Sequence, residues 1–285
     1  MKAQLECIPC IMKQALNTAR RATNDLVEIR TILAKTAEYV ATLNLDTTPA
    51  DASNYAYRVT SEVTGVSDPY EDDKKRYNEL CLEKTPALRK AIDSADDPIR
   101  TAVRLAILGN VIDMGIGYSF DLEAELDRVL NTEFAIDDYG LFRRHIDGGG
   151  KRILYLGDNA GEIVFDRLLI ERLIPEHEVT FVVKRGPIIN DATMEDAKYV
   201  GLTDMVEVID TGSNGIGVKW DAVSDAFLER YEASDIIISK GQGNFETNSE
   251  RDKDTYFLLK AKCDCVAEVL GVSFGDIVFR KGPVR

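Results

Sequence analysis

Three consecutive glycines, Gly148-Gly149-Gly150, divide this 285-residue chain into two stretches with different periodicities. Before them, apolar residues recur every three or four positions. Leu5, Ile8, Ile11, Met12, Ala15 and Leu16 share one helical face, and Leu26, Ile29, Ile32, Leu33, Ala37 and Val40 repeat the pattern within 25–44. Asp51 is placed to cap a third helix. Asp68, followed by Pro69, is placed to cap a charged fourth through Tyr77, Leu80 and Leu82, and Pro98 opens a fifth that stops near Gly109. A short amphipathic helix is expected over 121–130. After the glycines, short apolar runs at 153–156, 179–183, 206–209 and 236–239 alternate with helical patterns at about 163–173, 191–200 and 221–231, and more apolar sequence follows at 257–269 and 277–279. Strands that alternate with helices make parallel βαβ units covered on both faces. The expected fold class is therefore α/β: a helical domain, 1–147, packed on a doubly wound, mostly parallel-sheet (Rossmann-like) domain, 148–285.

Charge narrows the partners. With 35 Lys+Arg against 49 Asp+Glu, the formal charge is −14, a field that repels phosphate backbones and excludes general binding of nucleic acid polymers. An acidic protein that takes a phosphorylated substrate needs a local cation, either a lysine or a metal ion. No apolar run approaches the roughly 18 residues of a membrane span, so no membrane association is expected. Neither is there an apolar signal core after Met1, and a cytoplasmic location is the expectation. Nothing in the sequence bears on oligomeric state.

In open α/β sheets, ligands bind beyond the carboxyl ends of the strands at a switch in strand order. Three strand ends here carry unusual polar residues. Gly157-Asp158-Asn159-Ala160-Gly161-Glu162 follows the first strand and supplies side-chain oxygens, a glycine for close approach and a helix N-terminus; the plain alternative is a capping Asp with a glycine turn. Asn190-Asp191 lies beyond the second strand, where Asp191 is also placed to cap a helix beginning at Ala192. Lys240-Gly241-Gln242-Gly243-Asn244-Phe245-Glu246 ends the fourth strand and offers a cation, backbone N–H groups and amides to a phosphate. Jointly, Asp158, Asn159 and Asp191 form a hard, all-oxygen set suited to Mg²⁺ or Mn²⁺, with Lys240 opposite.

Other motifs carry less. Thr211–Gly217 and Tyr256-x-x-x-Lys260 resemble elements of short-chain dehydrogenases, but the first strand's turn lacks a GxGxxG and no P-loop is present. His145 and His177 are the only histidines and lie away from strand ends, which argues against a Ser-His-Asp hydrolase. Cys7-x-x-Cys10 shares a helical face, and with Cys263-x-Cys265 it leaves three readings open: buried structural thiols, a tetrahedral Zn²⁺ site, or a redox or disulfide group. Cys81 reads as a core residue.

The order of motifs — Cys7-Ile-Pro-Cys10, Gly109-Asn110-Val111-Ile112-Asp113, Gly157–Glu162, Asn190-Asp191-Ala192 and Lys240–Glu246 — resembles the damage-control phosphatase family, also called ARMT-like and formerly a domain of unknown function, and within it a CxxC-containing subgroup with archaeal members. The resemblance spans essentially the whole chain. It implies a metal-dependent phosphatase (a phosphomonoesterase) with Mn²⁺ or Ni²⁺ foremost, and Mg²⁺ or Co²⁺ as alternatives, at Asp158, Asn159 and Asp191. Asp158, Asp191 and Lys240 would be catalytic. Asn110, Asp113, Gly161, Glu162, Lys240, Gly241, Gln242, Gly243, Asn244 and Glu246 would bind a small phosphorylated metabolite. Relatives hydrolyse sugar phosphates, phosphopantetheine derivatives or damaged metabolites, and for the CxxC subgroup damaged purine nucleotides or their precursors are suggested. Asp158 or Asp191 would orient or deprotonate the attacking water, with a covalent aspartyl phosphate at Asp158 as the alternative. A carboxylate-methylating activity proposed for one branch finds no glycine-rich methyl-donor loop here. A protein without turnover, binding a phosphometabolite and regulated through redox chemistry or zinc at Cys7, Cys10, Cys263 and Cys265, is the competing reading.

Overall fold

The structure, a computed structural model, describes residues 1–109 and 132–284. The helix expected at 121–130 lies outside the described residues. Five helices come first: α1 (Cys7–Ala22), α2 (Leu26–Ala41), α3 (Pro49–Thr64), α4 (Glu71–Asp93) and α5 (Pro98–Gly109). There follow β1 (Ile136–Asp137), α6 (Tyr139–Ile146), β2 (Arg152–Leu156), α7 (Glu162–Leu173), β3 (Glu178–Val183), α8 (Met194–Tyr199) and β4 (Glu207–Asp210). The chain ends with α9 (Asp225–Ala233), β5 (Ile236–Lys240), α10 (Gln242–Asn248), β6 (Thr255–Lys260), α11 (Asp264–Leu270) and β7 (Ile277–Lys281).

One seven-stranded sheet organises the molecule, in the order β1-β7-β6-β5-β2-β3-β4. Every pairing is parallel except β6 with β7. The strands read as continuous apolar runs because both of their faces are covered. Along β2, Ile153 and Tyr155 face one core together with Ile236 and Ile238 of β5, while Leu154, Leu156 and Ile237 face another core with Phe227 and Tyr231 of α9. Helix α7 is buried on nearly every side by Ile163, Val164, Phe165, Leu168, Leu169, Ile170 and Leu173, as befits a helix wedged between the sheet and further helices.

The helical half is not a separate body ending at 147. Helices α1–α3 pack around their own cluster of Ile11, Ala15, Ile32, Ala56 and Val59. By contrast, Leu88 and Ile92 of α4 and Ala102, Val103, Leu105, Ala106 and Ile107 of α5 belong to the main sheet core, and β1 and α6, both before the expected boundary, add a strand and Phe142 and Ile146 to the same layer. Met1 and Ala3 cross over to pack against Phe245 and Phe257.

Several expected helix starts move. Thr48, not Asp51, caps α3: its hydroxyl accepts the Asp51 N–H at 3.1 Å, and Pro49 occupies the first turn. Asp68 sits ahead of α4, accepts the Tyr70 N–H at 3.0 Å and pairs with Lys74 at 2.7 Å. Leu5 and Leu26, placed on apolar helical faces, are 66% and 78% exposed because Leu5 precedes α1 and Leu26 is the first residue of α2.

Candidate metal and phosphate site

The order of strands reverses between β2 and β5, since β2 is followed outward by β3 and β4 on one side and by β5, β6 and β7 on the other. The loops after β2, β3 and β5 therefore meet above the carboxyl edge of the sheet. Two of them are stitched together by backbone. Asn159 and Asp191 form an isolated antiparallel bridge, the Ala192 N–H donates to the Asp158 carbonyl at 2.8 Å, and the Ala160 N–H donates to Asn190 at 2.8 Å. Residues 30 or more apart in sequence are thus held side by side.

Neither aspartate is a helix cap. The residue at the start of α7 is Gly161, at φ +80°, and α8 is capped by Thr193 in a capping box with Asp196. Helix capping is therefore not what holds either carboxylate in place. Gly161 is tied down from the helical half: its N–H donates to Asn78 Oδ1 at 2.7 Å, and Asn78 Nδ2 donates to Asp196 at 2.9 Å.

The electrostatics are those of crowded acids. Burial first, and then the charges of Glu162 and Asp191, push the Asp158 carboxyl well above the ordinary carboxylate range, while Lys262 and Lys184 pull the other way. Burial likewise raises Asp191 to about 6 against the attraction of Lys184. Asp191 Oδ2 is buried with no hydrogen-bond partner and lies 3.6 Å from the Lys184 ammonium, which also donates to the Gly217 carbonyl. Asn159 donates through Nδ2 to Asp158 Oδ2 at 3.2 Å and to Glu162 Oε1 at 2.8 Å. Carboxylates that repel one another, an orphaned buried oxygen and an amide oxygen turned away from its acidic neighbours make a donor set that fits a hard divalent cation.

Lys240 is not the exposed phosphate grip expected at the end of β5. It is fully buried, with its ammonium 2.6 Å from Asp166 Oδ1 and 3.6 Å from Glu162 Oε2, and Asp166 also accepts the Tyr155 hydroxyl at 2.7 Å. Burial works against the charge on Lys240, but Asp166 and Glu162 outweigh it and its pKa stays above the usual lysine value. Strand parity explains the placement: Ile236, Ile238 and Lys240 alternate onto the face covered by α7, where Glu162 and Asp166 stand one turn apart. The other residues of that segment also turn inward. Asn244 donates to the carbonyls of Gly157 at 3.0 Å and Lys240 at 2.8 Å, Gly243 packs against Ile216, and Gln242 donates to Glu246 at 2.9 Å and to Cys263 at 3.4 Å. Glu246 accepts the Ala50 amide at the start of α3. Asn110 and Asp113 lie outside the described residues.

A cavity of about 990 Å³ opens between α1–α3 and the loops after β3 and β4, with Tyr57, Arg58, Tyr70, Ile189, Asn214 and Trp220 in its wall. Ile188 and Ile189 line it, whereas Asp158, Asn159 and Asp191 do not; Ile189 holds a φ of +46°, strained for a β-branched residue. The Tyr57 phenol is pushed well above its usual value by burial first, and then by Tyr70 and Asp191.

Comparison with known proteins agrees with this architecture. The model of the damage-control phosphatase ARMT1-like domain matches residues 3–278. The chain belongs to this family. It is 38% identical over 283 residues to damage-control phosphatase PH1575 of Pyrococcus horikoshii, covering 98% of this chain and 97% of that protein, and 33% identical over 287 residues to a damage-control phosphatase of Archaeoglobus fulgidus, covering 98% of each. The crystal structure of PH1575, described as a DUF89 family protein, superposes with a TM-score of 0.92 at 37% identity over 99% of both chains.

In this family member, sequence reasoning passed over Lys184, Lys262, Asn78, Asp166 and Tyr155. Lys184 had a signal, as the lysine directly after β3, and Asp166 had one in its i, i+4 spacing from Glu162. Asn78 had none, because its partner is 83 residues away. Among the cysteines, Cys7 and Cys265 are buried in one cluster with Cys263 against it, while Cys10 is exposed and accepts the Gln14 amide at 3.3 Å. Among the described residues, no three His, Cys, Asp or Glu side chains converge into a metal-holding group, so the four cysteines do not build the Zn²⁺ site that was one reading. No helix among the described residues is long and apolar enough to cross a membrane.

Proposed function

We propose that this protein is a metal-dependent phosphomonoesterase that hydrolyses a small phosphorylated metabolite, a damaged or side-product sugar phosphate or purine nucleotide or precursor. The observation that carries the reading is the joining of Asp158, Asn159 and Asp191 at the switch between β2 and β5, with an orphaned carboxylate oxygen on Asp191. The names of its relatives support the phosphatase class.

Asp158, Asn159 and Asp191 would hold the cation, with Mn²⁺ or Ni²⁺ first and Mg²⁺ or Co²⁺ as substitutes. When bound, such an ion supplies the positive charge that offsets charge developing on a phosphoryl oxygen. The chain provides the rest. Lys184 behind Asp191, and Lys262 on the exposed rim near Asp158, bring two further positive charges to the same edge and counter the net negative field. Asp158 or Asp191 would orient or deprotonate the attacking water.

Release of inorganic phosphate by metal-stripped protein, with each of the four ions added back over a panel of sugar phosphates and nucleotides, tests the proposal. Metal-restored release is expected. Release that ignores metal removal contradicts the assigned site.

A further inference from the structure

An asparagine that ligates a cation must present its oxygen, yet the two ends of its amide are nearly alike in shape, and only the neighbours decide which faces where. Here the neighbours of Asn159 Nδ2 are two carboxylate oxygens: Asp158 Oδ2 at 3.2 Å and Glu162 Oε1 at 2.8 Å. Rotating the amide by half a turn would set its oxygen against both. Asp158 is itself assigned to the cation, so Glu162, which makes the shorter bond, is the partner left to hold the amide.

Glu162 is in turn fixed from below. It is 4% exposed at the first position of α7, and its second oxygen lies 3.6 Å from the Lys240 ammonium. Lys240 is enclosed and anchored on Asp166, which the Tyr155 hydroxyl also holds. The buried trio of Glu162, Lys240 and Asp166 sums to one negative charge placed beneath the amide.

We propose that Glu162 is a positioning residue that fixes the Asn159 amide so that its oxygen, not its nitrogen, is presented to the cation, and that the Lys240–Asp166 pair holds Glu162 for that task. The inference rests on reading Asp158, Asn159 and Asp191 as the ligands.

Calorimetric titration of the full, metal-free chain with Mn²⁺ alone tests it, compared between Glu162→Gln, Asn159→Asp and the double variant. A glutamine must turn its NH₂ end towards either the Asn159 amide or the Lys240 ammonium, which now meet different oxygens of Glu162, so Glu162→Gln is expected to weaken Mn²⁺ binding by about 10- to 100-fold. In the Asn159→Asp background, both terminal atoms are oxygens, orientation is immaterial, and one oxygen faces the Glu162 carboxylate, so adding Glu162→Gln relieves that repulsion and is expected not to weaken affinity. If Glu162→Gln does not fold without metal, Glu162→Asp, which withdraws the carboxylate by one methylene, enters the same comparison with the same expectation. Wild-type affinity in the Asn159 background, or an equal loss in both backgrounds, overturns the positioning role and leaves the metal reading standing. Wild-type protein that binds no Mn²⁺, Ni²⁺, Mg²⁺ or Co²⁺ overturns the metal reading and the inference with it.

Discussion

Gly241 and Asp158 are packed so closely that a β-carbon on Gly241 would overlap the Asp158 carboxylate. The glycine also holds φ +81° and ψ 167°, a region essentially closed to other residues. Both constraints come from one design, a strand end brought against the loop after β2. Gly241→Ala should therefore displace Asp158. We expect phosphate release to fall by at least about 100-fold and stability by about 2 kcal/mol or more, read from steady-state kinetics and urea unfolding. A variant with wild-type kcat would show that Asp158 need not sit where it does.

Asn78 is the bolt between the two halves, accepting from the Gly161 N–H and donating to Asp196. Asn78→Ala leaves a buried N–H and a buried carboxylate oxygen short of a partner and should destabilise by about 1–3 kcal/mol. Asn78→Asp keeps the acceptor for Gly161 but sets two carboxylates against each other, and should be the worse of the two. Thermal unfolding of both variants decides; the reverse ranking would mean that the Gly161 bond, not the Asp196 bond, dominates.

Glu246 carries a pH signature. Burial lifts its carboxyl to about 7, against the pull of the Gln242 amide, the chain's N-terminal ammonium and the Ala50 amide. A carboxyl whose pKa is higher folded than unfolded keeps its proton longer in the native state, so stability is lost as pH rises from about 4.5 to about 7. Glu246→Gln removes the titration. It should stabilise the protein by roughly 1–3 kcal/mol at pH 8 and leave it nearly unchanged at pH 4. An equal effect at both pH values would contradict this.

A thiol-centred function predicts the opposite of ours at Cys10, the exposed member of the Cys7–Cys10 pair. We expect Cys10→Ser to retain metal-restored phosphate release within about twofold, because a surface substitution changes little. Lost release with Mn²⁺ binding intact would favour the redox-regulated reading.

The architecture was legible because buried parallel strands write continuous apolar runs, and those at 153–156, 179–183 and 236–239 fall within or on observed strands. The loop after β2 was legible for the same reason, since Asp158 and Asn159 follow that strand closely, whereas Asp191 lies further out in the loop after β3. Side-chain direction was harder. Lys240 reads as a phosphate-facing cation until its parity with Ile236 and Ile238 turns it into the layer under α7, onto Asp166. The break at the three glycines suggested a domain boundary, but burial follows packing rather than periodicity, and α4–α6 share the sheet's own core. Asn78 became visible only when distant segments were brought together.

The central claim is that Asp158 belongs to a metal-dependent phosphatase site. Its most direct test is phosphate release by metal-stripped wild-type and Asp158→Ala proteins over the same phosphorylated panel, with Mn²⁺, Ni²⁺, Mg²⁺ or Co²⁺ restored and folding followed by circular dichroism. The account predicts metal-restored release by the wild type and none above background by a fully folded Asp158→Ala. Metal-dependent release retained by that variant, or wild-type protein that binds metal and releases no phosphate from any compound, would contradict it.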